Sequence, residues 1–191
     1  MASVIEMGKY FVSKGPSDEK RESVTPLRLQ LMLYYAQGLS LVLRQRPLFA
    51  ELIEAGIHGP VVREIYQYFQ HDQGDPISVE QDYAMVISEA DRRFLDMVWN
   101  YLGKRSINEL NQQASSEAPW KDARVGMKAT DRGNQLINLD TLQETLTKDL
   151  ERREVDLDAV QAYWQGVDDV IAGRTITLEE AKRNRMIREA V

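Results

Sequence analysis

The stretch from Thr25 to Arg44 constrains this chain most. Thr25-Pro26 is a helix start, an N-cap residue followed by proline at the first helical position. At 100° per residue, Leu27, Leu29, Met32, Leu33, Tyr34 and Val42 then point to every side of the helix. A helix of about 25–44 that is apolar all round is one the others pack against. Its uncharged run, between Arg28 and Arg44, is too short to cross a bilayer and holds Gln30, Gln37, Gly38 and Ser40. The expectation is a mainly α, compact helical domain built around this one buried helix.

The flanking segments read as helices that dock on it. Val4, Ile5, Tyr10, Phe11 and Val12 give a short first helix over 4–12, followed by polar residues broken at Gly15-Pro16. Leu48–Ile53 reads as a very short β element, and Pro60 as the opening of a helix through Val61, Ile65, Tyr66, Tyr68 and Phe69. Gly74-Asp75-Pro76 is a turn. Ser88 with Asp91, Ser106 with Glu109 and Thr177 with Glu180 have capping-box spacing. Over 88–103, Phe94, Met97, Val98, Tyr101 and Leu102 share one side, as a docked surface helix requires. Gly126–Asn134 reads as loop, and the rest as charged helix. The reading is two parts, a helical domain over 1–130 and a helical C-terminal extension over 131–191.

Within the extension, Leu157, Val160, Trp164, Val167 and Ile171 form a stripe about 80° wide, closed by Gly173. The plain expectation is docking on the chain's own core. The sharper one is a helix that enters a partner's groove, with Tyr163, Trp164, Val167 and Ile171 as its anchors.

Composition excludes several chemistries. Among 191 residues there is no cysteine, so disulfides, thiolate zinc sites and a cysteine nucleophile are ruled out. The net charge of −6 argues against broad binding to nucleic acid or to an anionic membrane. Glu6 and Lys9 interrupt the N-terminal apolar residues, so no leader is expected and the chain reads as cytoplasmic. No glycine-rich phosphate loop is present. His58 has no serine or carboxylate at a recognisable catalytic spacing, which favours a turn-stabilising role over a general base. His71, Asp72 and Asp75 have ligand atoms without the spacing of a calcium loop or a zinc helix. Tyr34 and Tyr35 lie on the most apolar helix, so packing is favoured over base stacking. Lys182, Arg183, Arg185 and Arg188 make a basic tail, but Glu179, Glu180 and Glu189 dilute it to a solvated face. No metal, cofactor or catalytic residue is expected.

Three segments in order resemble a known family. Thr25-Pro-Leu-Arg-Leu-Gln-Leu-Met-Leu-Tyr-Tyr-Ala-Gln-Gly38 is similar to its signature helix. Pro47-Leu-Phe with Glu54-Ala-Gly-Ile-His-Gly-Pro-Val62 and Tyr66 is similar to its central motif. Ser115-Ser-Glu-Ala-Pro-Trp120 with Ala123-Arg124 is similar to its third. On these motifs, about residues 4–125 resemble the Panacea domain family, which includes SocA-like antitoxin and protease-adaptor proteins and GepA-type phage-associated proteins. Leu31, Gly56 and Ser116 depart from it, where a basic residue, an aromatic and a histidine are usual.

The resemblance implies a mostly helical bacterial antitoxin that neutralises a cognate toxin, the product of the adjacent gene, by direct binding. Alternatives are a protease adaptor, which delivers its client to a bacterial protease, and a prophage-encoded regulator. None of these needs catalysis, and no membrane or nucleic-acid partner is expected. Candidate binding residues are the Trp164 stripe (Tyr163, Trp164, Val167, Ile171) and the surface of His58 and Trp120.

Overall fold

The computed structural model describes residues 3–15, 23–70, 75–77 and 86–173. His71, Asp72, Gly74, the Thr177–Glu180 box and the basic tail lie outside these residues. The elements run α1 (Val4–Lys14), α2 (Pro26–Leu43), β1 (Ile53–Gly56), β2 (Gly59–Val62), α3 (Arg63–Tyr68), α4 (Glu89–Leu102), α5 (Ile107–Ser116), α6 (Ala118–Ala123), α7 (Leu139–Arg152) and α8 (Leu157–Ile171). The class is mainly α with a small β element.

α2 is the central helix that its sequence requires. The Thr25 hydroxyl accepts from the Arg28 N–H and Pro26 fills the first turn. Every residue of α2 except Pro26, Leu27 and Leu41 is buried. Around it pack α1, α3, α4, α5, α7, α8 and β2. A helix enclosed on all sides must also satisfy its polar side chains. Gln37 accepts from the N–H groups of Leu48 (2.9 Å) and Phe49 (3.2 Å) and donates to the Phe49 carbonyl (3.1 Å). Two turns earlier Gln30 does the same for β2. It accepts from the Val62 N–H at 2.7 Å and donates to the Val62 carbonyl at 3.2 Å. Arg28 donates to the carbonyls of Gly103 (3.0 Å) and Arg105 (3.1 Å), which tie down the end of α4.

The β element differs from the sequence expectation. It is a hairpin of β1 and β2 rather than a strand at 48–53, because Gln37 holds the backbone of Leu48 and Phe49. Ile53 pairs with Val62, Glu54 with Val61, Ala55 with Pro60 and Gly56 with Gly59, so Ile57 and His58 form the tip. Pro60 thus sits in β2 and does not open a helix, and α3 starts three residues later. Proline is tolerated there because its missing N–H falls on an outer strand edge. Gly59 has φ +130°, and an added Cβ would lie 2.8 Å from Asn111 Oδ1, so two constraints hold it as glycine.

Residues 131–173 share the same core, so a boundary at 130 does not divide it. The Gln135 carbonyl accepts from the Ala55 N–H and the Ile137 N–H donates to the Ile53 carbonyl, each at 2.8 Å. This places 135–137 against the free side of β1, antiparallel to it. Leu142, Leu146 and Leu150 of α7 are buried in the one hydrophobic core with α2. Gly38 permits the close approach, since a Cβ there would clash with Leu146 Cδ1 and lie 2.9 Å from Leu142 Cγ. Among the described residues no helix is long and apolar enough to cross a membrane.

Candidate functional site

The central and third motifs meet at the hairpin. α6 is a short helix whose Pro119 is buried and whose Trp120 faces the turn. The Trp120 indole N–H donates to the Gly56 carbonyl at 2.9 Å. Arg124, buried at the end of α6, lies 5.0 Å from the Trp120 ring centroid. Its guanidinium donates to the carbonyls of Ala55 (3.0 Å), Lys128 (3.1 Å) and Asp131 (3.0 Å). That fork wraps the 125–134 loop around one charge and delivers 135–137 to β1. His58 stands exposed at the hairpin tip beside Ile57, and Trp120 is half-buried beneath the turn. Trp120 thus touches the turn whose tip carries His58. Val125, Leu136 and Leu52 are exposed apolar residues on the elements around it.

The side chain of Glu117, from the third motif, points inward. Oε2 accepts from the Tyr34 hydroxyl at 3.0 Å, and Oε1 from the Tyr35 hydroxyl at 3.3 Å and the Gln113 amide at 2.7 Å. Burial raises its pKa above the ordinary glutamate range, although these donors act against that shift. Burial first, and then the Glu117 charge, push both tyrosine hydroxyls up. Tyr34 and Tyr35 are thus core residues whose hydroxyls serve one carboxylate, as the packing expectation has it.

The Trp164 stripe lies elsewhere, on the chain's own core. Trp164 and Val167 are buried, Tyr163 is half-buried against the Trp164 ring, and only Ile171 is exposed. This corrects the reading of Trp164 and Val167 as surface anchors, because their apolar area is already spent within the chain. Trp164 packs edge-to-face on Phe94 of α4, with centroids 5.1 Å apart. The Arg44 guanidinium lies 5.1 Å from the Phe94 ring and 5.8 Å from the Trp164 ring. It pairs with Asp91 at 2.8 Å and Asp168 at 2.9 Å, and Arg46 reaches the same two carboxylates at 3.4 and 3.3 Å. Burial raises the Asp168 pKa, and Arg46 opposes the rise. Sequence reading missed this cluster. Asp91 shows there only as a cap, Arg44 only as a helix end, and 124 positions separate Arg44 from Asp168.

Among the described residues no group of His, Cys, Asp and Glu is arranged to hold a metal ion. Fold and site together define a helical domain whose signature residues fix an exposed hairpin onto a buried helix. Residues 29–121 match the family model for the antitoxin SocA-like, Panacea domain. The match lies inside the stretch that the motifs mark out. It supports an antitoxin-like role, and with it a protein partner, in general terms. No curated protein and no solved structure matches the chain.

Proposed function

We propose that this protein is a cytoplasmic antitoxin that neutralises a cognate toxin by direct binding, without catalysis. The observation that carries the reading is the antitoxin-family match over 29–121, the segment that builds the exposed hairpin. The signature side chains support a binding role, because Gln30, Gln37, Glu117 and Arg124 direct their polar groups to the chain itself. What they leave outward is a tip of Ile57 and His58 over Trp120, with Val125 close in sequence to the same helix. Aromatic and aliphatic anchors within a polar rim are what a protein interface needs.

The test is co-expression with the product of the adjacent reading frame, scoring growth and co-purification together. The expected result is rescue with a stable complex. The exposed-tip variants Ile57→Asp and His58→Asp should lose both while keeping the wild-type melting temperature. Rescue without a complex, with toxin lifetime shortened in a protease-dependent way, would replace sequestration by protease delivery. Absence of both rescue and binding would sink the antitoxin reading for that pair.

A further inference from the structure

The two outer edges of the small sheet are treated differently. On β2 the outward-facing groups belong to Pro60 and Val62. Pro60 has no N–H to offer, and both Val62 groups are taken by the Gln30 amide. That edge is closed to any further strand. On the other side, Gln135 and Ile137 direct their bonds inward to β1. Alternation along the strand then turns the N–H and C=O of Leu136 outward. Among the described residues neither group has a hydrogen-bond partner. The Leu136 side chain is 52% exposed, and Leu52, one residue before β1, is 60% exposed.

Charge at this edge runs against that of the whole chain. Lys128 and Arg132, on the loop that leads into 135–137, are exposed and form no ion pair among the described residues. The one carboxylate bonded within that loop, Asp131, accepts from the Lys128 backbone N–H at 2.8 Å. With Lys128 and Arg132 against Asp131, residues 125–134 carry a net +1 in a chain whose total is −6, on the loop that leads into the unpaired edge.

We propose that the toxin docks here by adding an extended strand of its own to the 135–137 edge, with an acidic residue facing Lys128 and Arg132. This rests on the antitoxin reading above and names the chemistry of its partner. An open edge recognises backbone first, and the alternate apolar side chains of the incoming strand then lie beside Leu136.

Amide hydrogen exchange on the wild-type chain tests this, with and without the purified product of the adjacent reading frame. Alone, the Leu136 amide should exchange freely while those of Ala55 and Ile137 are protected. In the complex Leu136 should slow by at least about tenfold. Leu136→Pro removes the outward N–H and should weaken binding by about tenfold or more. Leu136→Ala keeps the N–H and should bind far better than the proline variant. A complex that leaves the Leu136 amide exchanging freely overturns the edge proposal while sequestration stands. Protection that grows with the concentration of the chain alone makes a second copy the occupant and overturns the toxin as its partner. If no complex forms, the antitoxin reading fails, and this inference fails with it. Should Leu136→Pro not fold, the exchange result on the wild-type chain decides.

Discussion

Glu117 is one residue with two readings. In sequence it belongs to the third motif, before Ala118-Pro119-Trp120, and its backbone is the N-cap of α6. Its side chain, however, is a part-buried carboxylate that holds Tyr34, Tyr35 and Gln113 together. Its folded pKa is raised, chiefly by burial, so the sign of the linkage is set. The contribution of a raised carboxyl is fully present below its unfolded pKa and is lost as pH rises through the folded one. We therefore expect wild-type stability relative to Glu117→Gln to improve as pH falls from about 7 towards the ordinary glutamate value of about 4.3. Chemical denaturation of both chains across that range checks it, and a pH-independent difference would contradict the assignment. Gln30 and Gln37 are the counterpart case. Both motif glutamines are visible in the sequence, but that each amide holds a backbone segment depends on contacts 11 to 32 positions away.

At the scale of elements, α2 and α7 approach closely at Gly38. Alanine is the better helix former by about 1 kcal/mol. Here its Cβ would meet Leu142 at the branch point of the side chain as well as the end of Leu146. Overpacking of this kind costs roughly 1–3 kcal/mol, so Gly38→Ala should lower the melting temperature rather than raise it. α8 gives the second element-scale expectation. Trp164 is enclosed by Phe94 and Arg44, and its removal leaves a cavity beside a buried charge. Trp164→Ala should cost roughly 3–5 kcal/mol. A calorimetric scan should show this as a fall on the order of 10 °C. A loss of toxin binding at an unchanged melting temperature would instead restore the stripe as an interface.

On the scale of the whole molecule, one core runs from α1 to α8, with α2 at its centre. Residues 135–137 complete the sheet, α7 covers Gly38, and α8 closes the end of α2, where Gln161 donates to the Val42 carbonyl at 2.8 Å. The described chain should therefore melt in one cooperative transition, with calorimetric and van't Hoff enthalpies equal. A chain ended at residue 130 would expose the α2 surface that Leu142, Leu146 and Leu150 cover, and should not give a native-like transition. Two resolved transitions in the full chain would argue for the separable extension that its composition suggests.

Local chemistry accounts for what was legible. The buried α2, the first helix, the Ser88 cap and the Ser106–Glu109 box follow from periodicity and capping within a few residues; the α4 face holds at Phe94, Val98 and Leu102, but Tyr101 is exposed and Leu95 and Trp99 are buried in its place. Both members of the Ser106–Glu109 box make the reciprocal bonds that the spacing implies. The three motifs likewise mark the segment that the family match covers. Of the candidate site, His58 and Trp120 were named from sequence as one surface, and the bond from Trp120 to the Gly56 carbonyl of the hairpin was not legible there. The hairpin register was also hidden. Whether 48–53 or 53–62 forms strands is decided by Gln37 and Gln30, which satisfy one backbone segment from the side and cap the outer edge of the other.

By itself, then, the sequence determined a helix that must be enclosed, the helices able to enclose it, and the absence of cysteine chemistry, because burial and capping depend on neighbours along the chain. Only the tertiary structure decided which surfaces remain available. Trp164 is spent on the core, the Gln30 amide closes one strand edge, and Leu136 is left outward on the other. Those outcomes depend on which side chains reach which backbone groups across tens of positions, and no local pattern encodes that.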